Sequence, residues 1–200
     1  GGIYFDGDKL TINDSEINKN SITMDDTGGN LYGAGIYMSS GELDMKNSTV
    51  SSNKFDSEDN NSFGGIFAKN SLVTITNSTI SNNSDGGIKS GNNSTYTNCT
   101  ISGNGDQGIR SGSNTLITNS VISKNTNSGI FITGSSSSIV NSTVVYNGTG
   151  LYCSNSTLSL MNTISYFNTT KQIDGSSGST ITIDYSDIQN GVTVFGAFFN

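Results

Sequence analysis

The sequence predicts an all-β protein: a right-handed parallel β-helix (solenoid) of about eight coils, with 21–22 residues in each regular coil. Three observations predict it. A motif recurs at a near-constant interval, three apolar columns emerge when its copies are aligned, and two columns of asparagine run beside them.

The motif is clearest at 64–85, GGIFAKNSLVTITNSTISNNSD. It returns as GGIKSGNNSTYTNCTISGNGDQ, GIRSGSNTLITNSVISKNTNS, GIFITGSSSSIVNSTVVYNGT and GLYCSNSTLSLMNTISYFNTTK. The Ile or Leu after the glycine falls at 66, 88, 109, 130, 151 and 173, at intervals of 22, 21, 21, 21 and 22. Two longer copies, anchored at Ile3 and Ile36, come first with intervals of 33 and 30. The chain therefore divides into a β-helix over 1–191, with two long coils at 1–63 and regular coils at 64–191, and a capping or connecting segment at 192–200.

The first apolar column is Ile3, Ile36, Ile66, Ile88, Ile109, Ile130, Leu151, Ile173. The second is Ile12, Met45, Ile75, Tyr96, Ile117, Ile139, Leu160, Ile183. The third is Ile17, Val50, Ile80, Ile101, Ile122, Val144, a miss at Ser165, and Ile188. The β-branched stretches are too short for helices and suit strands of three to five residues. One coil cannot bury its own apolar side, so stacked coils must share a core. Parallel connections are overwhelmingly right-handed, which sets the expected hand. At ~4.8 Å per strand, eight coils make a rod roughly 38 Å long.

The asparagine columns are Asp14, Asn47, Asn77, Asn98, Asn119, Asn141, Asn162 and Asn20, Asn53, Asn83, Asn104, Asn125, Asn147, Asn168. Amides stacked one coil apart can hydrogen-bond along the rod, and asparagine tolerates the left-handed backbone of a coil corner. Both columns are accordingly assigned to structure.

Composition narrows the functions. The chain has no proline, tryptophan or histidine, and its net charge is −7 with nine Lys plus Arg. Without histidine, a Ser-His-Asp triad or a His-rich zinc site of its own is excluded. Any acid or base must then be a carboxylate, Lys, Tyr or Arg. So acidic a chain is no nucleic-acid binder, and no apolar run is long enough for membrane insertion. Cys99 and Cys153 make neither a metal motif nor a disulfide framework and look like small fillers. The opening Gly1-Gly2-Ile3, already inside a repeat, predicts a piece of a longer chain.

The GG-Ile start and the N-S-T-I-S-x-N body resemble the parallel β-helix repeat proteins of microbial surfaces, in the pectate-lyase-like superfamily with adhesin-like and polymorphic outer-membrane-protein-like repeats. TITIDYSDIQNG at 180–191 is similar to their closing coils. The resemblance implies the fold and an extracellular or cell-surface location. It leaves function open, because the group includes adhesins, polysaccharide lyases and hydrolases.

Two irregularities carry the candidate sites. The residue after the first apolar column should point outward, and that column reads Tyr4, Tyr37, Phe67, Lys89, Arg110, Phe131, Tyr152, Asp174. With Lys69 it offers a substrate-binding stripe of Tyr37, Phe67, Lys69, Lys89, Arg110, Phe131 and Tyr152. Ring faces would contact sugars, and the cations would contact carboxylate or sulfate. Asp85 and Asp106, four residues before Lys89 and Arg110, make a catalytic group of four with them for a lyase or glycoside hydrolase. The bland alternative is ordinary strand surface with solvated pairs. The second irregularity is the pair of insertions at 21–34 and 54–63, expected to pack as one lobe. There Asp25, Asp26, Asp56, Glu58 and Asp59 could attract Ca²⁺, without a calcium-loop spacing. The favoured function is a non-catalytic extracellular module of a secreted or cell-surface protein, serving adhesion or binding a polysaccharide or cell-surface glycan, without a cofactor. The alternative is an enzyme acting on an acidic glycan.

Overall fold

The computed structural model describes residues 2–23, 33–56, 63–176 and 178–190, and the backbone of 197–199. Among them there is no helix. Three parallel sheets run the length of a rod, two with eight strands and one with nine, and each coil contributes one strand to each sheet. The first sheet begins with Ile3–Phe5 and ends with Lys171–Gly175; the second begins with Lys9–Asn13; the third begins with Glu16–Asn18. Coils are numbered here by their first-sheet strands, coil 1 at Ile3 to coil 8 at Ile173.

The register follows the apolar columns. Ile66 pairs with Ile88, Ile88 with Ile109 and Ile109 with Ile130 in the first sheet. Ile75, Tyr96, Ile117 and Ile139 align in the second, and Ile80, Ile101, Ile122 and Val144 in the third. From coil 2 to coil 7 these side chains are almost wholly buried, Ser165 included. A one-residue slip would turn each column out to solvent, so burial itself fixes the register.

The two asparagine columns, alike in sequence, do opposite things. In the first, Asp14 to Asn162 take the left-handed backbone (φ 48–53°) and are exposed. Their side chains bond coil to coil, as Asn98 Nδ2 does to Asn77 Oδ1 at 3.0 Å. In the second, the left-handed residue is the preceding one, such as Lys19, Ser52, Asn82 or Lys124, and from coil 2 onward the asparagine is buried. Asn104 shows the pattern: Nδ2 donates to Asn125 Oδ1 (2.9 Å) and to the Ile80 carbonyl (3.3 Å). Its Oδ1 accepts from the backbone N and Nδ2 of Asn83. Every polar atom of the buried amide is satisfied, which offsets the cost of burying it.

This ladder explains the glycine before each column-one residue. A Cβ on Gly108 would stand 2.7 Å from Asn125 Nδ2 and 2.6 Å from the Gly129 carbonyl. At coil 8 the position is Gln172, whose Oε1 accepts from Asn168 Nδ2 at 2.7 Å and stands in for the missing amide. A further ladder was not apparent in the sequence: the buried Ser48, Ser78, Ser120, Ser142 and Thr163, with Cys99 in the same column. Cys99 and Cys153 are both buried and free.

The two insertions start side by side, Ser21–Thr23 pairing with Lys54–Asp56 in a small parallel sheet. The rest of the expected acidic lobe, with Asp25, Asp26, Glu58 and Asp59, lies outside the described residues. In the segment expected to cap the core, Ala197–Phe199 adds a ninth strand to the second sheet beside Ile181–Ile183. The remainder, with 191–196, also lies outside the described residues.

Candidate functional site

The outward column of the first sheet is in register from end to end. Tyr4 pairs with Tyr37, Tyr37 with Phe67, Phe67 with Lys89, Lys89 with Arg110, Arg110 with Phe131 and Phe131 with Tyr152. Rings one strand apart stack on each other: Tyr4–Tyr37 at 5.3 Å, Tyr37–Phe67 at 5.7 Å and Phe131–Tyr152 at 5.0 Å, all within about 21° of parallel. The gap between the stacks is filled by cations. Lys89 Nζ lies 5.0 Å from the Phe67 ring centre and 5.6 Å from that of Phe63, and Arg110 Cζ lies 5.0 Å from that of Phe131.

The ring faces, expected to meet a sugar, are largely turned along the rod towards one another. The faces of Tyr37, Phe67 and Phe131 are spent on neighbouring rings and on the two cations, because coil spacing is close to ring-stacking distance. Tyr152 has a ring on one face and Asp174 as its neighbour on the other side. Tyr37, Phe67, Phe131 and Tyr152 form a scaffold that braces Lys89 and Arg110.

Beside that brace lies a cleft of about 570 Å³, within the usual range of ligand sites. Lys69, Asn70 and Leu72 of coil 3 form one wall, Lys89, Asn92 and Asn93 of coil 4 and Arg110 and Gly112 of coil 5 line the middle, and Thr133 of coil 6 closes the far side. Its origin is a shortened turn. Four residues, 69–72, separate the inward Ala68 from Val73 in coil 3, and four, 133–136, separate Ile132 from Ser137 in coil 6. Coils 4 and 5 have three, 91–93 between Ser90 and Ser94 and 112–114 between Ser111 and Thr115. The shorter turns recess two coils between longer neighbours.

The electrostatics of the cleft are one-sided. Lys69, Lys89 and Arg110 come from three consecutive coils, and no carboxylate is among the lining residues. Lys69 is exposed, Arg110 is half-buried and Lys89 is only 5% exposed. Among the described residues neither Lys69 nor Arg110 is in an ion pair, while Lys9, Lys46 and Lys171 are.

Asp85 and Asp106 do not join this group. They sit in the turns before the strands Ile88–Ser90 and Ile109–Ser111, whereas the cleft opens at and after the far ends of those strands. The two carboxylates are neighbours, with the backbone N of Asp106 donating to the Asp85 carbonyl at 3.2 Å. Burial pushes the Asp85 carboxyl above its ordinary range. A hydrogen bond from Ser84 Oγ (3.1 Å) opposes the rise, and the charge of Asp106 adds to it. The pair therefore lacks the position flanking a cleft-bound sugar that two-carboxylate glycoside hydrolysis requires. For calcium, no cluster of three or more His, Cys, Asp or Glu able to hold a metal ion occurs among the described residues.

Three stacked parallel sheets with a continuous apolar core define the class, a right-handed parallel β-helix. The chain belongs to the family described as right handed beta helix region, whose model matches residues 1–169 and 64–199. No curated protein sequence matches it. Among solved structures it is similar to the A-module of the mannuronan C-5 epimerase AlgE4 of Azotobacter vinelandii. The identity is 11% and the TM-score 0.44, over 100% of this chain and 91% of that one. No helix among the described residues is long and apolar enough to cross a membrane.

Proposed function

We propose that this chain is a non-catalytic β-helix module of a secreted or cell-surface protein, and that it binds an acidic polysaccharide in the cleft on coils 3–6. The observation that carries this reading is the charge of the cleft: three cations and no carboxylate, in a chain of net charge −7. Clustering the few cations there runs against the global balance and suits an anionic ligand. The guanidinium of Arg110, with one side against Phe131, keeps N–H donors for a carboxylate or sulfate. Lys69 at the rim supplies a second, hydrated point charge. Asn70, Asn92 and Asn93 offer donors and acceptors for sugar hydroxyls.

The test is calorimetric titration with hexagalacturonate, with maltohexaose as the neutral control. Binding of the first alone, weakened about tenfold or more in Arg110→Ala, is expected, since a charge-assisted hydrogen bond contributes about 1.5–3 kcal/mol. Equal affinity for both sugars, or no binding of either, would overturn the reading. Release of unsaturated ends from polygalacturonate, lost in Arg110→Ala, would convert the module into a lyase.

A further inference from the structure

The corner directly behind the cleft is built from different material than the rest of the rod. Where the first-sheet strand ends, the inward residue is Met38, Ala68, Ile132 or Cys153 on other coils, but Ser90 and Ser111 on coils 4 and 5. Across the corner, Leu43, Val73 and Leu158 give way to Ser94, Thr115 and, on coil 6, Ser137. Tyr96, the largest fully buried side chain, occupies a column of Ile, Met and Leu and sends its hydroxyl into this group.

The hydroxyls form one connected chain. Tyr96 Oη donates to Ser90 Oγ (2.7 Å), Ser90 Oγ bonds Ser111 Oγ (2.8 Å), and Ser111 Oγ bonds Thr115 Oγ1 (2.6 Å). Thr115 Oγ1 then donates to the Gly112 carbonyl at 3.0 Å. The backbone pairing is short at this point, as it also is between Ile36–Met38 and Ile66–Ala68, where the inward residues carry no hydroxyl. Between Ile88–Ser90 and Ile109–Ser111 the paired residues are Ile88 with Ile109 and Lys89 with Arg110, and pairing stops there. Each strand pairs all three residues with its other neighbour. At the next position the two coils are joined by serine hydroxyls, on the residues immediately after Lys89 and Arg110.

Packing does not require this arrangement. Ile75 and Ile117 fill the same column on the flanking coils without any polar partner. An apolar replacement of a whole buried polar group is commonly neutral or stabilising. We propose that Tyr96 is a positioning residue for the anion-binding cleft: through Ser90 and Ser111 its hydroxyl fixes the strand ends that carry Lys89 and Arg110. This rests on the acidic-glycan reading of the cleft.

The experiment separates positioning from folding. Tyr96→Phe keeps the ring and removes the hydroxyl; Tyr96→Phe with Ser90→Ala, Ser111→Ala and Thr115→Val replaces every hydroxyl of the connected chain. Urea unfolding and hexagalacturonate titration are measured on each, with Thr115→Val as a milder variant at the other end of the chain. The single variant should lower both the unfolding midpoint and the affinity, the latter by about tenfold. In the variant with the whole chain replaced the midpoint should recover while the affinity stays low, and the Arg110 Nε–H resonance should stay shifted from wild type. Affinity that recovers with the midpoint, or wild-type affinity in all three variants, overturns the inference. If those variants bind as wild type while Arg110→Ala does not bind, the cleft reading stands and only the role of Tyr96 falls. If the wild-type protein binds no hexagalacturonate, both fall.

Discussion

The guanidinium carbon of Arg110 lies 5.0 Å from the centre of the Phe131 ring on the next coil, and that ring is stacked at 5.0 Å on Tyr152 one coil further on. The cation is held by a column of rings rather than by a carboxylate, so its charge stays available to a ligand. Replacing the ring should loosen it. Phe131→Leu is expected to reduce affinity for an acidic hexasaccharide about two- to fivefold, the equivalent of a half-exposed cation–π contact, without changing selectivity over maltohexaose. Calorimetry checks it.

The buried and exposed amide ladders should differ sharply in stability. Asn104→Ala removes two donated bonds and strands the backbone N and Nδ2 of Asn83 inside the rod. A loss of roughly 3 kcal/mol or more is expected. Asn98→Ala, in the exposed ladder, loses a solvated bond and a favourable left-handed residue, for about 1 kcal/mol or less. Urea unfolding of the two variants side by side decides the point.

Alkali should unfold the protein through buried acids. Desolvation pushes the Tyr96 phenol from 10.0 up to about 12 and the Cys153 thiol from 9.0 up to about 12. The unfolded chain then loses these protons first, so stability falls as pH rises, beginning near 9.0 and continuing towards 12. Tyr96 alone accounts for about 2–3 kcal/mol at full effect. Tyr96→Phe should remove its share of the alkaline loss and Cys153→Ala its own, leaving the part due to the Cys99 thiol, which burial also pushes up. Midpoints measured across that pH range test both, and Cys153 should react with thiol reagents only as fast as the fold opens.

Asp85 should act in the opposite part of the scale. Its carboxyl is raised in the fold, chiefly by burial, so ionisation at rising pH favours the unfolded chain. Asp85→Asn is expected to stabilise the protein at neutral pH and to leave it unchanged at acid pH, below the carboxylate range. A destabilisation at pH 7 would show that the charge has a partner the hydrogen bond from Ser84 does not account for.

The coil count, the three apolar columns and the outward column were legible because strands alternate faces and the repeat interval barely varies. Even the miss at Ser165 is real: its hydroxyl donates to the Gln172 carbonyl at 3.1 Å inside the core. The opposite burial of the two asparagine columns was not legible. What separates them is whether the asparagine or the residue before it takes the left-handed backbone, and several residue types fill that preceding place. The expected groove shared by Asp85, Asp106, Lys89 and Arg110 failed for a related reason. Four residues of separation in sequence places carboxylate and cation in one coil, but a strand runs between the turn that holds the one and the turn that shapes the other's cleft.

The sequence by itself determined the solenoid, because a periodic apolar pattern has few ways to be buried and only stacking satisfies all its copies at once. Tertiary structure alone decided which outward residues line the cleft. Rings at coil spacing turn their faces to each other, and a turn one residue shorter on two adjacent coils opens a cleft only when longer turns stand on either side. Both depend on what the neighbouring coil does, and no single copy of the repeat contains that information.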